Sequence, residues 1–165
     1  MRPVPEYDPK SWLMKALRET AHAMEALVWE IDEDALDRPP ADGEWSVREL
    51  LLHMCEMERR YTERLERIVR FDDPKIAAFD GDSIEDRDEY ADAHAFEMME
   101  EFGAYRQRVA DLLWSLDDAD WQRAGVHPYL GRLSILQTAR EMSEHDLSHL
   151  WQLRRISDRF AAAAV

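Results

Sequence analysis

Glu144-His145-Asp146-Leu147-Ser148-His149-Leu150-Trp151-Gln152, near the end of a chain of 165 residues, carries two histidines four positions apart. Met142, His145, His149, Gln152 and Ile156 step by three and four, so on an α-helix both imidazoles fall within the stripe that the helix buries, one turn apart. A buried imidazole needs a polar partner. Two on one face need either two hydrogen-bonded networks or one shared metal ion, for which neutral imidazole is a good ligand. The single ion is the simpler reading.

Outward from this stretch, the chain resolves into four amphipathic helices. Ser134-Ile135-Leu136-Gln137 reads as a capping box that starts helix four, which runs to about Ser157, with Arg154, Arg155 and Arg159 suited to the negative end of its dipole. Trp45-Ser46-Val47-Arg48-Glu49-Leu50 is a second such start, opening helix two; its stripe of Leu50, His53, Met57, Tyr61, Leu65 and Ile68 turns His53 inward. Leu13, Leu17, Thr20, Met24, Leu27 and Ile31 mark helix one over roughly residues 9–33. Ala95, Met98, Phe102, Tyr105, Val109, Leu112 and Leu116 mark helix three. Residues 71–89 are acidic and broken by Pro74 and Gly81, a long crossover, and Asp117 to Leu133 reads as a loop. IDEDALDR before helix two is echoed by LDDADWQR before helix four, as two pseudo-symmetric helical hairpins would require.

These elements predict an all-α four-helix bundle, and residues 1–165 read as a single domain. His53 lies about 10 Å from the start of its helix, while His149 and His145 lie about 12 and 18 Å from the expected end of theirs, at 1.5 Å per residue. The levels match if helices two and four are antiparallel. That requires up-down-down-up topology with a long crossover between helices two and three, which the 71–89 segment is long enough to supply.

Thirty-six acidic against 21 basic residues give a formal charge of −15, which disfavours nucleic acids and anionic membranes as partners. Cys55 is the only cysteine, so there is no internal disulfide or cysteine-rich zinc site, and a cytoplasmic location is expected. No apolar run reaches membrane-spanning length, and MRPVPEYDPKSW has no signal-like core.

Three inward histidines would leave a coordination position open, as catalytic rather than structural metal sites do. An ion there would acidify a water or stabilise a thiolate, giving a nucleophile for a small-molecule substrate. The competing reading is three core histidines satisfied by nearby carboxylates. Three imidazoles suit zinc, nickel, iron or copper. A di-iron carboxylate centre would need two Glu-x-x-His motifs, and only Glu19-x-x-His22 and the variant Asp146-x-x-His149 come near. Glu56 and Glu144 are the candidate catalytic carboxylates, with Asp146 and Gln152 as further neighbours of the site. Cys55 should face away from the metal, His22 and His94 should be peripheral, and His127 reads as an exposed turn residue. The Met and Trp residues on the stripes read as core.

GEWSVRELLLHMCEME, GVHPYLGRLSI and EHDLSHLWQLRRI together resemble the DinB/YfiT-like superfamily over nearly the whole chain. The resemblance implies a four-helix bundle with a long second crossover, commonly homodimeric. It also implies a divalent ion, most often zinc or nickel, on His53, His145 and His149. Activities in that family include thiol-dependent S-transfer, with a low-molecular-weight thiol as co-substrate, and metal-dependent hydrolysis. The expectation is therefore a thiol S-transferase acting on a small electrophile, with a hydrolase or a non-catalytic metal-stabilised dimeric bundle as alternatives.

Overall fold

The computed structural model describes residues 8–80, 83–84, 90 and 93–163. Helix α1 (Pro9–Trp29) begins where the Asp8 carboxylate accepts from the backbone N–H groups of Lys10 and Ser11, with Pro9 at a position whose missing donor costs nothing. Both expected capping boxes form. Glu49 N–H donates to Ser46 Oγ (3.2 Å) and Ser46 N–H to Glu49 Oε2 (3.0 Å) at the start of α2 (Val47–Arg70). Gln137 N–H donates to Ser134 Oγ (3.1 Å) and Ser134 N–H to Gln137 Oε1 (2.8 Å) ahead of α4 (Ile135–Ala163). Between them lies α3 (Ala95–Ser115).

Helix directions follow from which residues meet. On α2 and α4, Tyr61 and Arg64 reach Glu141 while His53 reaches His145, so the two run antiparallel. On α2 and α3, Cys55 meets Met98 and Glu66 meets Arg108, so these run parallel. The topology is up-down-down-up, as expected from the long crossover, although α4 does not end near Ser157 as the histidine levels assumed. α2 packs chiefly on α3 and α1 on α4, with α2–α4 and α1–α3 closing the ring. α1 and α2, and likewise α3 and α4, therefore stand across diagonals, not as the adjacent hairpins that the internal echo implied. The echo itself is real: Glu33–Ala35 and Asp120–Gln122 each form one 3-10 turn, burying Leu36 and Trp121 at matching places.

Several boundaries differ from expectation. α1 stops at Trp29, where Glu30 and Ile31 N–H groups bond three residues back instead of four and tighten the last turn. α4 continues to Ala163, because its last turns pack Phe160 beside Arg38 and pair Arg159 with Glu44. The arginines thus sit inside the helix, short of its end. On α3 the buried stripe is Ala95, Met98, Phe102, Arg106, Val109 and Leu113; Tyr105, Leu112 and Leu116 are only half-buried. Arg106 occupies a core position that an apolar pattern steps over.

The stretch expected as a loop contains a hairpin, β1 (Ala124–His127) with β2 (Gly131–Ser134). Val126 N–H donates to Pro74 O (2.7 Å) and Ile76 N–H to Val126 O (3.1 Å), which pins the start of the crossover to β1. The crossover then runs back along α2. Arg67 Nε donates to Lys75 O (2.8 Å) and Arg64 Nη2 to Ala77 O (3.2 Å), and Ser83 O lies beside His53. Residues 81–82 and 85–89 of this segment lie outside the described residues.

The interior is two apolar cores. One gathers Met24, Leu27, Leu51, Met98, Phe102 and Leu153; the other gathers Leu13, Leu17, Leu65, Val109, Leu113 and Met142. Thr20, Glu58, Arg106 and Asp146 form a polar layer between them.

At the β1 join, a Cβ on Gly125 would stand 2.5 Å from Ile76 Cγ2 and 3.1 Å from Pro74 O. Gly125→Ala should therefore lower stability by about 1–3 kcal/mol through overpacking, read as a reduced urea midpoint. An unchanged midpoint would mean that the crossover is not held against β1 as described.

Candidate metal centre

His53 stands two turns into α2, at a height fixed by the Ser46 cap, while His145 and His149 share one face of α4. Because α2 and α4 are antiparallel, the three rings meet. His53 Nε2 lies 3.0 Å from His145 Nε2, and one ligating nitrogen from each of the three rings falls within 4.8 Å of the others. His53 is fully buried and His149 is 8% exposed; His145 is half-buried.

Two of the outer ring nitrogens face oxygen acceptors. His53 Nδ1 lies 2.9 Å from Ser83 O, and His149 Nδ1 lies 2.9 Å from Gln152 Oε1. A carbonyl oxygen can only accept, so each Nδ1 carries the proton, and in the neutral ring each Nε2 presents its lone pair to the common centre. Tetrahedral zinc with Zn–N of about 2.05 Å would hold nitrogens about 3.3 Å apart, within the observed spread of 3.0 to 4.8 Å. The donor set fits a divalent ion with a position to spare.

Aromatic side chains wall this centre. The Trp45 ring lies 4.9 Å from that of His53 and stacks on His149 at 6.2 Å with an interplanar angle of 15°. On the other side Tyr61 meets His145 edge-on at 6.0 Å and is backed by Phe79 at 5.3 Å. Burial, reinforced by the Glu141 carboxylate, pushes the Tyr61 hydroxyl well above its ordinary range, so it stays protonated. Trp45 precedes its helix, where periodicity is silent, and Ser83 acts through its backbone; neither was readable as a site residue. Tyr61 stood on the expected stripe without a role.

The other candidates divide. Gln152 is the partner of His149. Glu56 is buried, about 60° around α2 from His53, and holds Arg60 at 2.7 Å. Glu144 is exposed, turned about 100° from His145 on α4. Asp146 is turned about 100° from His145 on α4, accepting from Arg106 Nη1 (2.8 Å) and Thr20 Oγ1 (3.1 Å). Cys55 is buried with Sγ 3.0 Å from Met98 O, and burial pushes its thiol well up. His22 and His94 are exposed, as expected. His127 is not: it is buried, and its Nδ1 accepts the backbone N–H groups of Tyr129 and Leu130, shaping the hairpin tip. Trp12, Trp29, Trp114 and Trp151, which stand off the expected stripes, are exposed. A cleft of about 600 Å³ lies between α1 and α3, on the side of the bundle away from the histidines, so it is not the space over the centre.

The family model for the DinB superfamily matches residues 16–153. The chain belongs to the DinB superfamily. Among curated relatives, it is 22% identical over 165 residues to "Putative metal-dependent hydrolase YfiT" of Bacillus subtilis (strain 168), covering 93% of each chain. It is 24% identical over 147 residues to "Uncharacterized protein YuaE" of the same organism, covering 81% of this chain and 90% of the relative. Among solved structures, YfiT from Bacillus subtilis, described as having an unusual four-helix bundle topology, superposes with a TM-score of 0.82 at 19% identity, over 98% of this chain and 94% of that one. The four-helix bundle protein TT2238 gives 0.66 at 20% identity, over 88% and 98%.

Protein purified without a metal-affinity tag should take up about one divalent ion per chain, and His149→Ala should reduce this to near zero. Elemental analysis after gel filtration checks it. Nickel or cobalt, but not zinc, should also quench the indole stacked on the site, a loss that Trp45→Phe removes.

Proposed function

We propose that this chain is a divalent-metal-dependent enzyme that activates a small nucleophile for attack on a small-molecule substrate. The observation that carries this is the convergence of three imidazole nitrogens, with the His53 ring oriented by Ser83 O and the His149 ring by Gln152 Oε1. When bound, a zinc or nickel ion there supplies Lewis acidity with its double charge uncancelled by neutral ligands. The chain does the rest: His53 and His149 fixed in tautomer and angle, and Trp45, Tyr61 and Phe79 limiting water. Glu56, buried one turn from His53, is the proposed proton carrier ahead of the exposed Glu144.

The names of relatives such as YfiT favour water as the nucleophile, and the sequence resemblance favours a low-molecular-weight thiol. Metal-loaded protein offered esters and amides alone, or monochlorobimane with bacillithiol, mycothiol, glutathione or coenzyme A, separates the two. Turnover without thiol supports hydrolysis; turnover that needs thiol supports S-transfer. Either should fall by at least about 100-fold in His149→Ala and by about 10² to 10⁴ in Glu56→Gln. If neither panel turns over while His53→Ala mainly lowers the melting temperature, the ion is structural and the enzyme reading falls.

For the assembly we propose a two-fold homodimer across the α1–α3 face. Trp29 and Phe96 at one end of that cleft and Trp114 at the other are each at least half exposed, an apolar rim that marks an interface. Lys15 and Arg18 line one half and Glu25 and Glu100 the other. A perpendicular two-fold would lay the basic half of one copy on the acidic half of its partner. Light scattering should give twice the 19.4 kDa chain mass, reverting to one chain in Trp114→Glu with helicity retained. A monomeric parent protein would refute it.

A further inference from the structure

The two helices that carry the three histidines are not each other's main packing partners: α2 rests chiefly on α3, and α4 on α1. Something else must hold His53 at its distance from His145 and His149. The buried Arg106 of α3 spans the gap. Its Nε and Nη2 donate to the two oxygens of Glu58 at 2.7 Å each, a bidentate clasp on α2 five residues beyond His53. Its Nη1 donates to Asp146 Oδ2 on α4 at 2.8 Å, between the two histidines in sequence, and to Leu17 O on α1. Thr20 Oγ1 completes Asp146 from α1 at 3.1 Å. One planar group thus sets both the spacing and the rotation of α2 against α4, because a fork with fixed donor directions tolerates little sliding.

We propose that Arg106, with Glu58 and Asp146, is a positioning element for the metal centre, acting on ion affinity without touching the ion. This rests on the metal reading above. A purely structural role would cost stability alone; a positioning role costs affinity in proportion to how far the imidazoles drift, and loss of such supporting contacts weakens metal binding by about 10- to 100-fold.

Removing Arg106 alone would strand two buried carboxylates, so the informative variant neutralises the set: Glu58→Gln, Arg106→Met and Asp146→Asn together. Cobalt titration, followed by the d–d absorption of the bound ion, is compared among the parent protein, this triple variant and Leu113→Ala, which empties a core site on α3 away from the network. The expected result is a helical triple variant with cobalt affinity at least about tenfold weaker and an altered spectrum, while Leu113→Ala is destabilised yet binds as the parent does. Should the triple variant not fold, Arg106→Lys, which keeps the charge but cannot span both carboxylates, reads the same loss. Equal affinity in the folded variant, or an equal loss in Leu113→Ala, overturns the proposal and leaves the metal reading standing. A parent protein that binds no cobalt sinks both.

Discussion

The guanidinium of Arg106 lies where all four helices meet, and much of the rest is arranged so that it can be there. Burial works against its charge, yet the carboxylates of Glu58 and Asp146 outweigh that and raise its pKa, so it stays protonated. Such a group is stable only when each of its nitrogens has an acceptor. Glu58 takes two, and Asp146 and the Leu17 carbonyl share Nη1, which ties α1, α2, α3 and α4 to one plane. Breaking a buried pair of this kind typically costs about 3–5 kcal/mol because the partner charge is left behind. A hydrophobic layer of equal volume could be as stable, so the network's particular contribution is to fix one register among those that apolar packing alone would tolerate.

That fixed register is what lets the three imidazoles converge. Above and below it the apolar cores can pack as in any bundle, with Leu51 and Phe102 on one side and Leu65 and Val109 on the other. At the polar layer itself, α4 shows two faces: Asp146 toward Arg106, His145 and His149 toward α2. Successive residues on a helix diverge by about 100°, so one turn of α4 serves both the structural network and the candidate ligands.

The histidines were legible because three and four residue steps place side chains on one face whatever the side chain is, and because the cap at Ser46 fixes where α2 starts. The topology was legible in the length of the 71–89 crossover, whereas the height match assumed an α4 end near Ser157 that lies at Ala163. Arg106 was not legible: a pattern of apolar residues slides past a buried arginine onto Tyr105 and Leu112, since sequence alone does not show that two carboxylates from other helices will meet it. The same limit hid Trp45 and Ser83, which act from outside helices, and the hairpin, whose pairing with Pro74 and Ile76 spans some fifty residues. His127 was misread for the opposite reason, a local signal of proline and turn outweighing the burial that the hairpin imposes.

Topology and site also constrain each other. In a simple up-down-up-down bundle α2 and α4 would be parallel, whereas here they are antiparallel, with His53 level with His145 and Tyr61 and Arg64 level with Glu141. That direction is possible only if the chain returns the full length of the bundle between α2 and α3. That return is not idle chain: Arg67 and Arg64 hold its carbonyls along α2, and its Ser83 carbonyl sets the tautomer of His53. The long crossover therefore serves the centre twice, by placing α4 with the required direction and by supplying the acceptor that turns the Nε2 lone pair of His53 toward the other two rings.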